Sequence, residues 1–114
     1  MRQLIIALWD FQSDVRKWVL HNFKSTYKDK YKPLLGLTEE LGELSHAHLK
    51  MEQKIRGHIN EHIEAKRDAV GDIMVYLADY CSRNGLNLGE CVYGAWSEVQ
   101  KRDWVKFPKN GVSE

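Results

Sequence analysis

No run in this chain alternates apolar and polar residues over a strand's length, so a β-sheet finds no support in the sequence. There are only two cysteines, Cys81 and Cys91, and neither stands at a metal or redox spacing. Two thiols make a poor disulfide framework, and reduced cysteines in a cytoplasmic protein are the expectation. No apolar stretch approaches the ~18 residues of a membrane span. The patch from Leu4 to Trp9 runs straight into Asp10 and Asp14, with no small-residue cleavage site behind it. Charge of one sign is also missing. The formal net charge is +1 and no basic block stands out, which argues against a duplex-binding footprint. The loose lysine set at 24, 28, 30 and 32 reads as a solvated loop. Neither nucleic acid nor membrane is therefore an expected partner, and no internal repeat is present.

What remains is ordinary globular composition, 43% hydrophobic and 29% charged, in 114 residues. That is one domain. Leu4, Leu8, Phe11, Val15, Trp18 and Val19 step by three or four, a first amphipathic helix ending near Phe23. Lys24 to Lys32 reads as a loop, and Pro33 suits a first helical turn because its missing N–H is not needed there. A second helix is expected from about Pro33 to Gln53, its apolar side at Leu34, Leu37, Leu41, Leu44, Ala47 and Leu49. Gly57 punctuates the next turn. Asn60 is placed to cap a third helix carrying Ile63, Val70, Ile73, Met74 and Leu77, which Asn84-Gly85 stops. Asn87, with Glu90 three residues on, has capping-box spacing and opens a fourth helix through Val92, Trp96 and Val99. Residues 1–105 form the expected domain and 106–114 a tail. The fold class is all-α. Four Trp, five Tyr and three Phe in so short a chain suggest apolar surface that another copy covers, as a homodimer or homotetramer.

Chemistry concentrates in Gly36-Leu37-Thr38-Glu39-Glu40-Leu41-Gly42-Glu43-Leu44. Glu39, Glu40 and Glu43 share one side of a helix, at the border of the apolar stripe formed by Leu37, Leu41 and Leu44. Carboxylates held near a core need a cation, and hard oxygen donors favour Mg²⁺ or Mn²⁺. A second acidic set, Glu64, Asp68 and Asp72, recurs at i, i+4, i+8 ahead of an apolar helix. Two antiparallel helices packed through their apolar stripes would bring the sets together.

The order Trp18 to Phe23, then Leu34-Leu35-Gly36, then Glu39-Glu40-Leu41-Gly42-Glu43, then Gly71-Asp72 resembles the MazG-like nucleotide pyrophosphohydrolases of the all-α nucleoside triphosphate pyrophosphohydrolase superfamily. The likeness runs from about Trp18 to Trp104. It implies a four-helix subunit with antiparallel central helices, its helical bundle completed by oligomerisation. It also implies a Mg²⁺-dependent hydrolase that cuts a nucleoside triphosphate between the α- and β-phosphates. By position, Glu40, Glu43 and Asp72 would hold the metal and Glu39 would orient or deprotonate the attacking water. The family's ExxD glutamate falls at Ala69, and Asp68, one turn from Asp72, is the candidate replacement. Trp18 and Phe23 would stack on the base and Asn22 would read its edge, with Arg56, Lys101 and Arg102 on the phosphates. Ala69 favours the other reading, a helical nucleotide-binding or assembly module without turnover. His58-Ile59-Asn60-Glu61-His62 fits the inverted zinc-protease motif, but it sits at a helix start in a chain too short for a peptidase cleft.

Overall fold

The computed structural model describes residues 1–114 and contains four α-helices and no strand: α1 (Arg2–Asn22), α2 (Lys32–Gln53), α3 (Ile59–Arg83) and α4 (Leu88–Val99), with one 3₁₀ turn at Lys24–Thr26. The helix boundaries follow the local chemistry. Lys32 and Pro33 open α2, and Lys54 closes it in the left-handed region at φ 58°. Asn87 caps α4 by accepting the Glu90 N–H at 3.0 Å. α3 begins one residue before the expected cap. His58 takes that role, its Nδ1 accepting the Asn60 N–H at 3.2 Å.

One core joins three of the helices. Val15 and Val19 from α1 meet Ala78 and Cys81 of α3 and Leu88 of α4, with Leu8, Phe11 and Met74 packed around them. Of the six expected α1 positions, Leu4 and Trp18 stay exposed, while the other four, Leu8, Phe11, Val15 and Val19, pack into this core. Gln12 lies among them, 2% exposed. Its amide donates to the Leu86 carbonyl at 2.8 Å and to Ser82 Oγ at 3.2 Å, and its oxygen accepts the Leu88 N–H at 2.8 Å. One side chain thus ties α1 to the α3–α4 turn. At Gly89 a Cβ would come within 2.9 Å of the Ile5 backbone, so α1 and α4 cross at a separation only glycine permits.

α2 and α3 form an antiparallel hairpin across the short turn 54–58, which holds two non-glycine residues with positive φ, Lys54 and Arg56. His62, buried behind that turn, bonds the Ile55 carbonyl through Nε2 at 2.9 Å. Both histidines of the HxxEH pattern therefore serve the turn and the helix start.

α1 and α2 both pack on α3 but not on each other. A trough is left between them, floored by α3 and closed at one end by residues 23–31. The other side of α2 has no neighbour. The stripe expected to be buried is only partly so, with Leu41 58% and Leu49 48% exposed. The whole is open: the radius of gyration is 17.7 Å, against about 13 Å expected for a compact chain of this length. No helix is long and apolar enough to cross a membrane. Residues 103–113 fold into successive turns. Asp103 Oδ1 accepts the Val105 and Lys106 N–H groups, and its own N–H reaches the Gly111 carbonyl at 2.7 Å.

Candidate active site

The trough between α1 and α2 contains a cavity of about 520 Å³. Its floor is one face of α3, where Asp72, Val75, Tyr76, Asp79 and Arg83 follow at helical spacing. α2 contributes Leu35, Gly36, Glu39 and Glu40 as one wall, and α1 contributes Trp18 and Val19. Phe23 and Thr26 close the far end. Trp18 and Phe23 meet edge to face, with ring centroids 5.6 Å apart and planes at 70°. Both residues are about half exposed and line the cavity.

The acids gather at the other end. Glu39, Glu40 and Asp72 line the cavity, and Glu43 lies one turn along α2. Glu40 is the deepest of the four. Its Oε2 is sealed from solvent and has no hydrogen-bond partner, alone among the buried side-chain oxygens and nitrogens of the chain. Burial raises its pKa above the usual carboxylate range. The neighbouring charges of Glu43, Asp72 and Glu39 push the same way. The arrangement is a set of oxygen donors from two facing helices, with one donor atom unsatisfied. The side chains as they stand do not enclose an ion, since no three of them converge closely enough.

Tyr76 was not singled out by the sequence reading, yet it is central. Its ring crowds Gly36, where an added Cβ would clash with the ring carbons Cε1, Cζ and Cδ1. Burial raises the hydroxyl's pKa, and the charges of Glu40, Glu39, Asp72 and Asp79 add to that. Asp79 and Arg83 were missed as well. They form a buried ion pair, Arg83 Nε to Asp79 Oδ1 at 2.8 Å, with side chains 4% and 9% exposed. A sequence signal existed for them: Asp72 and Asp79 are two helical turns apart, so they share a face.

Other expected site residues lie elsewhere. Asp68 is exposed and outside the cavity lining, a residue-spacing of four placing it one turn further from the trough along α3. Ala69 is 2% exposed in the hairpin's packing, so no carboxylate stands there. Asn22 turns back on its own helix, donating to the Trp18 carbonyl at 2.9 Å. Arg56 sits in the exposed α2–α3 turn at φ 62°. Lys101 pairs with Glu98 at 3.3 Å, and the Arg102 stem packs against Gly111. α4 has no contact with α2, so within one chain these two cations do not approach the acids. Lys32 and Arg83 are instead the cations at the cavity.

No family model, no curated protein and no solved structure matches this chain.

Proposed function

We propose that the chain is a nucleoside triphosphate pyrophosphohydrolase that uses Mg²⁺, or Mn²⁺, to hydrolyse the α–β phosphoanhydride of an NTP or dNTP to a monophosphate and pyrophosphate. The observation that carries this reading is Glu40. A carboxylate oxygen sealed from water without a partner, among three further carboxylates, is an arrangement a hard divalent cation would satisfy. Glu40, Glu43 and Asp72 are the residues to hold the ion. The metal would neutralise phosphate oxygens and raise the acidity of bound water. Glu39, exposed at the cavity's edge, is placed to accept the water's proton. Trp18 and Phe23, at the opposite end, offer flat apolar faces for a base. The acidic end and the aromatic end of one trough thus correspond to the two ends of a nucleotide.

A homo-oligomer belongs to the same proposal. The accessible surface is 8626 Å², about 2,200 Å² more than a compact monomer of this mass exposes. That excess is within the range obligate homodimers bury. Exposed Leu41 and Leu49 on α2 supply apolar area for the contact.

The decisive assay is pyrophosphate release from a panel of NTPs and dNTPs with Mg²⁺, in the wild type and in Glu40→Gln. Turnover in the wild type, lost in a folded Glu40→Gln, is the expected result. Wild-type rates in that variant would remove the proposed metal site. Nucleotide binding without cleavage would favour the module reading, to which buried Ala69 points.

A further inference from the structure

We propose that Asp79 and Arg83 form a hydrogen-bonding end wall of the cavity that reads the edge of a nucleobase and prefers bases carrying an exocyclic amine. The inference rests on the nucleotide reading above and adds to it the group that selects the base. Arg83 is fixed on three sides. Nε donates to Asp79 Oδ1 at 2.8 Å, and Nη1 donates to the Thr26 and Asp29 carbonyls at 2.8 and 3.0 Å. Its guanidinium also lies 5.3 Å from the centre of the Tyr27 ring. These contacts leave Nη2, with two N–H donors, and Asp79 Oδ2, an acceptor, with no bond inside the chain. Neither is among the sealed polar atoms, and both residues line the cavity. A donor and an acceptor therefore stand side by side on a wall whose members are immobilised from behind. Such a wall loses little freedom on binding.

The position suits the role. Asp72 marks the acidic end, and Asp79 lies seven residues along the same face of α3, a rise of about 10 Å. A nucleotide laid along the trough with its phosphates at the acids directs its base between Trp18 and Val75 toward this wall. A phosphate is the wrong occupant for it, because the Asp79 carboxylate repels anions and already neutralises Arg83. A neutral ring edge is the right one. In cytosine and adenine an exocyclic amine donor sits beside a ring-nitrogen acceptor, matching Asp79 Oδ2 and Arg83 Nη2. In uracil and thymine the single N–H lies between two carbonyl oxygens. A carboxylate set against that N–H also meets a carbonyl lone pair.

The test is equilibrium binding of CMP and UMP, by calorimetry in a metal-free buffer, to the wild-type chain and to Asp79→Asn and Arg83→Lys. Pyrophosphate release from CTP and UTP is measured in parallel. Wild type should bind CMP at least about tenfold more tightly than UMP. In Asp79→Asn the amide oxygen keeps the bond to Arg83 Nε and turns its NH₂ into the cavity. That exchanges an acceptor for a donor and should abolish or reverse the preference. Arg83→Lys leaves a cation for Asp79 but loses Nη2 together with the Nη1 bonds to the Thr26 and Asp29 carbonyls, and should weaken CMP roughly tenfold. Circular dichroism establishes that each variant is folded. Equal affinity for CMP and UMP in the wild type overturns the wall by itself, whether or not either variant folds. So does an unchanged preference in Asp79→Asn. Pyrophosphate release without base preference would sink the wall and leave the hydrolase standing. Base preference without any pyrophosphate release would do the reverse.

Discussion

Gly36 and Gly42 lie on the same helix six residues apart, and replacing each by alanine should have opposite effects. In a helix interior the exchange gains up to about 1 kcal/mol from the backbone alone. At Gly42 nothing lies within 4 Å of the added Cβ, so that gain should appear in full. At Gly36 the added Cβ clashes with three carbons of the Tyr76 ring, so the ring must shift to make room. Overpacking of that kind costs about 1–3 kcal/mol, which exceeds the backbone gain. The expected net result is destabilisation by about 0–2 kcal/mol at Gly36 and stabilisation by about 0.5–1 kcal/mol at Gly42. Urea melts at fixed protein concentration give both values, and the difference should be about 1–3 kcal/mol. Tyr76 must also move away from α2, so Gly36→Ala should change nucleotide binding while Gly42→Ala leaves it alone. Equal stabilisation at the two positions would show that the tyrosine ring does not lie over α2, and the described shape of the cavity would fall with it.

Three further outcomes are expected from the same packing. Gln12→Ala removes three hydrogen bonds and strands the buried Leu88 N–H and the Leu86 carbonyl, so a loss of about 3–5 kcal/mol is expected in denaturant melts; a loss under 1 kcal/mol would show the knot to be incidental. Glu40 gives a pH signature: its folded-state pKa is raised, so the native chain binds more protons than the unfolded one between the ordinary carboxylate range and that raised value. Stability should fall as pH rises through this window, Glu40→Gln should flatten the slope, and an identical profile in the variant would contradict the assignment. Light scattering at micromolar concentration should give the mass of a dimer or tetramer, and a polar substitution at Leu41, 58% exposed in the single chain, should shift it toward monomer.

The helices were legible because each has a strong local cause. Asn87 before Glu90, Pro33 at a first turn and Asn84-Gly85 as a stop are short-range signals, and all three mark real boundaries. The acid set on α2 and Asp72 on α3 were legible too, since their spacing puts them on faces that the hairpin brings together. Tyr76 was not, and the shared face of Asp72, Asp79 and Arg83 could be read from spacing but not its exposure to a cavity. Only the missing contact between α1 and α2 turns that face into the floor of a cavity. Asn22 shows the converse. Its sequence position beside Trp18 suggested a base contact, but at a helix end its amide finds the carbonyl four residues back first.

The cost of the acid cluster explains the rest of the trough. Facing carboxylates across a two-helix seam oppose the packing of α2 on α3, and Glu40 retains a buried oxygen that nothing in the chain satisfies. Apolar side chains at Glu40 and Asp72 would hold the hairpin more firmly. The opposite end has the reverse character. Arg83 is bonded to its own helix and to two carbonyls of the 23–31 segment, and Asn84 adds a third bond to Lys30. One end of the trough is thus electrostatically unsatisfied and the other is over-determined. A fold held by a single uniform core would have neither. Under the proposed nucleotide reading, the cation-poor end is where the ligand's charged portion would be neutralised, and the rigid end is where its flat portion would be placed.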